Sequence, residues 1–315
     1  MRYIKDLKEG ERIGGIYLVK SKQNALTKAG KPYENLVLQD KTGTIDSKIW
    51  DVGSPGIGDY DELDYIDIVG DVTSFQGQLQ LSIKRVRRAQ EGEYEPSDYL
   101  PVSKYDIEEM FTALKGLISS INNEYLKKLL NSFFADDEFA KSFKSHSAAK
   151  TMHHGFVGGL LEHTLSVAKN CEFFAQRYSI LNRDLLVCAA ILHDIGKIDE
   201  LSAFPANNYT DDGQLLGHIV IGTIKIKEHI KEIDGFPDKL ESELLHCIVA
   251  HHGELEFGSP KKPALVEAIA LSMADNLDAK MEMFEESFSG VAENNFEWQG
   301  YNRGLESNIR RTSEW

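Results

Sequence analysis

Apolar positions in residues 1–95 come in short alternating blocks separated by glycine-marked turns, and this spacing predicts strands over 11–20, 35–39, 44–50, 65–72 and 79–83. Asp40-Lys41-Thr42-Gly43 and Gln76-Gly77-Gln78 are the clearest turns, each with a glycine where a left-handed residue is wanted. Five short strands with no helix-length pattern predict a small closed barrel. Beyond residue 96 the period lengthens to three and four. Pro96 and Pro101 bracket the change, which marks a linker. Helices are predicted over 107–121, 124–134 and 137–143, then over 159–178, 184–195, 215–233, 239–251 and 263–286. Asp184 suits an N-cap and Pro263 a first helical turn. The chain therefore divides into a β-unit (1–95), a bridging helical region (96–150), a helical domain (151–287) and a tail (288–315) whose mixed pattern predicts nothing definite. The fold class is multi-domain α+β.

At 315 residues, two domains are expected, and 42% hydrophobic with 27% charged residues is ordinary globular composition. No apolar run is long enough for a membrane span, and the first residues lead into no signal-type segment. Cys171, Cys188 and Cys247, an odd and widely spaced set in apolar patterns, read as reduced buried thiols, which with the absent leader predicts a cytoplasmic protein. A net charge of −15 excludes a broad, basic nucleic-acid surface. The acidity is uneven: residues 1–95 hold 14 Lys and Arg against 16 Asp and Glu, so a local cationic face remains open there.

The ten histidines all fall within 146–252. His163 shares a helix face with Leu160 and Val167, His193 shares one with Leu186 and Ala189, and Asp194 follows it. His218 opens the next long helical pattern, His251 closes the one after, and Asp275 lies mid-helix four residues past Leu271. A single inward histidine is more often a satisfied core residue than a ligand, and His-Asp dipeptides arise by chance. Six such positions on separate inward faces reverse that weighting, because an ionised Asp among Ala, Leu and Met needs a counter-charge. Imidazole with carboxylate suits Mn, Fe, Co, Ni or Zn, and six ligands suffice for two ions in a phosphohydrolase arrangement, with Asp194 the natural bridge.

The order His163 … His193-Asp194 … His218 … His251 … Asp275 resembles the HD-domain phosphohydrolases. Gly158-Gly159-Leu160-Leu161-Glu162-His163-Thr164 and Leu192-His193-Asp194-Ile195-Gly196-Lys197 stand at that family's first ligand and its signature. The resemblance implies that His163, His193, Asp194 and Asp275 hold one metal and that Asp194, His218 and His251 hold a second. A β-barrel followed by such a domain is similar to the YhaM family of bacterial 3′–5′ exoribonucleases, over nearly the whole chain. That resemblance implies an OB-fold, Mn²⁺ dependence, and two-metal hydrolysis of single-stranded RNA, and of single-stranded DNA, to 5′-mononucleotides.

Further candidates carry less specific signals. Lys197 lies within a turn of the His-Asp pair and suits a phosphate contact, against the ordinary reading of a solvated lysine. His153 and His154 precede the first ligand pattern and suit substrate positioning or acid catalysis, against an exposed loop pair. His252 assists His251 or replaces it. His146, His229 and His246 read as structural. In the β-unit, Tyr33, Trp50 and Phe75 with Lys48 are candidate stacking residues, and Lys84, Arg85 and Arg87 candidate phosphate contacts, although Tyr and Trp in small barrels are more often core. Two other functions remain open: hydrolysis of a small nucleotide (a cyclic dinucleotide or nucleoside triphosphate) with a regulatory barrel, and a non-catalytic RNA-binding protein.

Overall fold

In a computed structural model, residues 2–150 and 154–313 are described, and the chain separates into two compact units, Met1–Val102 and Ser103–Trp315. The first unit is a closed barrel of β1 (Arg12–Leu26), β2 (Pro32–Asp40), β3 (Gly43–Ile49), β4 (Tyr65–Phe75) and β5 (Gln78–Arg88). Around the barrel the order is β1-β2-β3-β5-β4, antiparallel except for the parallel β3–β5 seam, with β4 pairing back onto β1. Such a five-stranded barrel is the OB arrangement.

Period-two alternation places Ile66, Ile68 and Val72 of β4 inside, where they meet the wholly buried Tyr17, Leu36, Leu38, Ile49 and Leu81. Tyr17 is tolerated there because its hydroxyl donates to the Arg2 carbonyl, 2.7 Å away. Gly70 marks the bulge in the β4–β5 ladder: a Cβ there would lie 2.7 Å from the Ser82 carbonyl oxygen. The strands outrun the alternating blocks, since β1 and β5 carry on into polar sequence (Ser21–Leu26 and Lys84–Arg88) by pairing their backbones across the barrel. Residues 96–102, expected to open the helical region, pack on the barrel instead. Tyr99 is buried against Tyr65 and Tyr94, and Gln39 donates to its carbonyl.

The second unit is helical: α1 (Ile107–Ser120), α2 (Glu124–Phe134), α3 (Asp137–Ser145), α4 (Gly159–Arg177), α5 (Arg183–Leu192), α6 (Lys197–Glu200), α7 (Asp211–Leu215), α8 (Gly217–Lys231), α9 (Asp238–Val249) and α10 (Val266–Phe288). Asp106, Asn123 and Asp136 cap α1 to α3 by accepting from first-turn amides. Leu185 to Leu192 are all buried, so α5 is the central rod, packed by α2, α4, α9 and α10.

Three boundary expectations are corrected. Asn182, not Asp184, caps α5; the Asp184 carboxylate instead accepts from the Asn122 and Asn123 amides. Pro263 lies ahead of α10, which starts at Val266. The helix expected over 215–233 starts two residues later, as α8, and a short helix not expected from the sequence, α7, precedes it; Gly217, with a left-handed φ of 73° that no continuous helix allows, separates the two. The tail, unread from sequence, forms a small hairpin (Tyr301–Asn302 with Ser307–Asn308), and Arg311 donates to the Phe288 and Val291 carbonyls beyond α10. Among the described residues no helix is long and apolar enough to cross a membrane, and the three cysteines are free and buried.

Candidate metal centre

Five helices deliver one ligand candidate or pair each. His163 projects from the second turn of α4, His193-Asp194 follow the end of α5, His218 opens α8, His251 follows α9, and Asp275 lies within α10. Gly159 permits this packing at the start of α4, since a Cβ there would meet the His154 carbonyl oxygen at 2.0 Å. All six side chains converge. His163 Nε2 lies 3.3 Å from Asp194 Oδ2, 3.2 Å from Asp275 Oδ1 and 3.2 Å from His193 Nε2. His193 Nε2 lies 3.3 Å from Asp194 Oδ2 and 3.9 Å from Asp275 Oδ1. On the other side of the same carboxylate, Asp194 Oδ1 is 3.4 Å from His218 Nε2 and 3.7 Å from His251 Nε2.

This donor set fits divalent cations. Two ligands bound to one ion at about 2.1 Å sit roughly 3.0–3.4 Å apart, and most of these separations fall near that range. Asp194 Oδ1, His218 Nε2 and His251 Nε2 are buried without a hydrogen-bond partner, although they lie within ion-pair reach of one another. Three orphaned atoms facing one point are costly unless a cation satisfies them. The opposite ring nitrogens are all engaged. Nδ1 of His193 faces the Ala190 carbonyl at 2.8 Å, that of His251 the Ile248 carbonyl at 2.6 Å, that of His218 Glu200 Oε1 at 3.0 Å, and that of His163 Asp278 Oδ2 at 2.7 Å. Acceptors at Nδ1 put the proton there and leave each Nε2 lone pair for a metal.

The electrostatics agree. Burial opposes ionisation of Asp194 and Asp275, but Lys197 and His193 beside the first, and His163 and His193 beside the second, hold both well below the usual carboxylate range. His163 is raised well above its ordinary value despite burial, because Asp194, Asp275 and Asp278 surround it. His251 is lowered by burial and by its neighbours His193 and His252, so it stays neutral.

Lys197 is nearly buried, with Nζ 2.6 Å from Asp194 Oδ2. Burial works against its ammonium and the Asp194 charge outweighs it, leaving the group above its ordinary value. His252 lies edge-on to His251 and tilted to His218, with ring centroids 4.4 and 5.2 Å away, its Nδ1 held 2.8 Å from the Phe257 carbonyl. His154 turns Nε2 toward Asp278 Oδ2 at 3.0 Å, one carboxylate removed from His163. His153 lies outside the described residues. His229 stacks on Phe133, and His246 Nε2 accepts from the Ala264 amide.

Sequence reading missed Asp278 and Glu200, which orient His163 and His218. Asp278 was detectable in principle, three residues past Asp275 and so on the same helix face. Glu200 carried no signal, because its partner is set by the backbone break at Gly217.

A family model described as the HD domain matches residues 160–280. The chain is 35% identical over 291 residues to the 3′–5′ exoribonuclease YhaM of Geobacillus sp. (strain WCH70), covering 91% of this chain and 88% of that one. It is 34% identical over 287 residues to the protein of the same name from Bacillus subtilis (strain 168), covering 90% and 89%. The chain belongs to the YhaM family. Its HD domain implies dependence on a divalent metal, in keeping with the cluster above. The barrel is similar to the second OB-fold domain of replication protein A from Methanococcus maripaludis, at 20% identity and a TM-score of 0.24 over 30% of this chain and 98% of that one.

On this YhaM-family barrel, the β2–β3 register brings three of the candidate residues together. Tyr33 and Trp50 stack with ring centroids 5.1 Å apart, and Lys48 Nζ lies 5.7 Å above the Tyr33 ring while also bonding Asn35. Trp50 is 46% exposed, so it is not core. Phe75 stands apart, exposed at the β4–β5 hairpin. Lys84 and Arg85 are exposed, with Lys84 4.0 Å from Asp71. Arg87 is held by Glu93 and Asp67, each at 2.8 Å, so its guanidinium is already engaged.

Proposed function

We propose that this protein is a metal-dependent 3′–5′ exoribonuclease that shortens single-stranded RNA, and also single-stranded DNA, to 5′-mononucleotides. The observation that carries the reading is the division of one carboxylate: Asp194 turns Oδ2 to His163 and His193, and Oδ1 to His218 and His251. With Asp275 completing the first set, the six residues would hold two divalent ions, Mn²⁺ foremost, with Fe, Co, Ni or Zn as chemically allowed substitutes. Two such ions supply an acidified water and positive charge for phosphodiester hydrolysis.

The chain's own residues do the rest. Lys197, His252 and Asn276 line a cavity of about 320 Å³ beside Asp275, with Phe257 at its edge. That is room for one terminal nucleotide. Lys197 carries a charge through neutral pH and is placed to meet the phosphoryl oxygens as negative charge develops on them. His154, through Asp278, orients His163. The barrel (1–95) serves as the strand-binding unit. Tyr33 and Trp50 offer stacking faces, with Lys48 beside them, and Phe75, Lys84 and Arg85 are further exposed positions on the barrel. Residues 96–150 and 288–315 flank the hydrolase proper, 151–287.

The test is a time course of the purified protein with Mn²⁺ on 5′-labelled single-stranded RNA, with and without a 3′-phosphate. A ladder receding from the 3′ end, stopped by chelator and slowed by the block, supports the reading. An intact strand alongside turnover of free nucleotides would move the substrate to small nucleotides and make the barrel regulatory.

A further inference from the structure

Beside α4 and α10 a cavity of about 700 Å³ lies outside the ligand set above, and its otherwise mixed walls carry several carboxylates, Glu162 and Glu282 among them. His154, Glu162 and Glu282 each offer a ligand atom to it, and these atoms lie within 4.8 Å of one another. His154 is 4% exposed and Glu162 8%. Nε2 faces the Asp278 carboxylate, which accepts, so in the neutral ring Nδ1 presents a lone pair. That Nδ1 is buried without a hydrogen-bond partner, 4.0 Å from Glu162 Oε1.

A lone pair facing two carboxylates is repulsive unless something positive lies between them. The local cations do not fill that role. Lys104 pairs with Glu285, and Lys169 is exposed at the wall of the cavity. Ser103 Oγ donates to Glu162 Oε2 at 2.6 Å, which fixes that carboxylate and leaves Oε1 toward the histidine. Burial pushes the Glu282 carboxyl up from its ordinary range, and Glu162 and Glu285 push the same way against His154 and Lys104.

We propose that His154 Nδ1, Glu162 and Glu282 form a third divalent-cation site, separate from the two-ion centre. One imidazole with two carboxylates suits a borderline divalent metal such as Mn²⁺, water completing its shell. The site is joined to the centre by a single group: Asp278 Oδ2 lies 3.0 Å from His154 Nε2 and 2.7 Å from His163 Nδ1, and Ser166 holds its other oxygen. A cation on His154 therefore fixes the tautomer that orients Asp278, and through it His163.

The total of three ions rests on the two-ion reading, but the site itself is tested by a difference. The full-length apoprotein is titrated with Mn²⁺ to about 1 mM, the weak end of protein cation sites, and free Mn²⁺ is followed by its electron paramagnetic resonance. Glu282→Gln and Glu162→Gln should each bind one ion fewer than the wild type, while Glu285→Gln binds as many. Thermal melts of the apoproteins establish that the variants fold. His193→Ala should lose ions from the catalytic centre and keep the outer one, so failure of the two-ion reading would leave the Glu282 difference intact. Equal stoichiometry in the wild type and both glutamine variants overturns the third site.

Discussion

The barrel and the helical unit treat buried charge in opposite ways. Asp40, 2% exposed in the barrel, accepts from the Ile4 amide at 2.6 Å and from the Thr42 amide and hydroxyl at 2.7 and 2.6 Å. Its charge is answered by the fold itself. Asp194, equally buried in the helical unit, has Oδ2 shared among two imidazoles and a lysine and leaves Oδ1 with no hydrogen bond. Among the described residues every orphaned buried side-chain atom (on His146, His154, Asp194, His218 and His251) belongs to the helical unit. A fold that satisfies one buried carboxylate fully and abandons part of another has reserved the second for a partner outside the chain.

Swapping each carboxylate for its amide breaks or upholds that contrast, and gives the largest effect expected. Asp194→Asn removes the shared ligand of both ion positions and should lower nuclease activity by about 10³-fold or more, several kcal/mol of lost charge stabilisation, with bound Mn²⁺ reduced in parallel. Asp40→Asn should leave Mn²⁺ content and turnover per folded molecule unchanged while costing about 1–3 kcal/mol of stability in urea melts. An Asp40 variant that loses metal, or an Asp194 variant that keeps it, ends the distinction.

Lys197 sharpens the comparison within the helical unit, because it is a nearly buried cation whose ion-pair partner, Asp194, is itself a proposed ligand. Lys197→Met should reduce kcat by about 10²-fold, the usual size of losing one charge donor at a reacting oxygen. Mn²⁺ binding should be no weaker, since the ammonium competes with metal for Asp194 Oδ2. Loss of kcat and metal together would make Lys197 structural.

The barrel was legible as five alternating blocks because strand period and closure leave few alternatives. Its strand lengths were not, since β1 and β5 are extended by ladder partners that no local pattern reveals. The six centre residues were legible because His and Asp stand out on apolar faces. Their supporting groups were not. Asp278 looks like one more acidic residue of α10, and Glu200 becomes a partner only after Gly217 breaks the chain and turns both the amide and Nδ1 of His218 toward it, at 2.9 and 3.0 Å. The cap at Asn182 was missed for a related reason: the more obvious Asp184 is occupied by amides of a distant loop.

The two sides of Asp194 should also differ in their response to pH. His163 is raised well above its ordinary value, so the metal-free chain holds that proton through neutral pH, and metal must displace it. His251 is lowered and already neutral, so it releases none. Tighter binding at higher pH follows for the His163 side, by about tenfold per unit for one proton while pH stays below the His163 value. Calorimetric Mn²⁺ titrations in buffers of different ionisation enthalpy at pH 6, 7 and 8 would measure that release. A pH-independent affinity with no proton released would mean the histidine is neutral beforehand.

The smallest effect belongs to the barrel surface. Stacking of a base on an aromatic ring contributes about 1–3 kcal/mol. Trp50 is only half exposed, with one face covered by Tyr33, so the lower end applies. Trp50→Ala should weaken binding of a single-stranded oligonucleotide by about fivefold, roughly 1 kcal/mol, while leaving hydrolysis of a dinucleotide unchanged. Reduced binding with intact dinucleotide turnover assigns the barrel to strand capture and the helical unit to chemistry. Unchanged binding would take Trp50 out of the strand path and leave Phe75, exposed at the β4–β5 hairpin, as the next residue to replace.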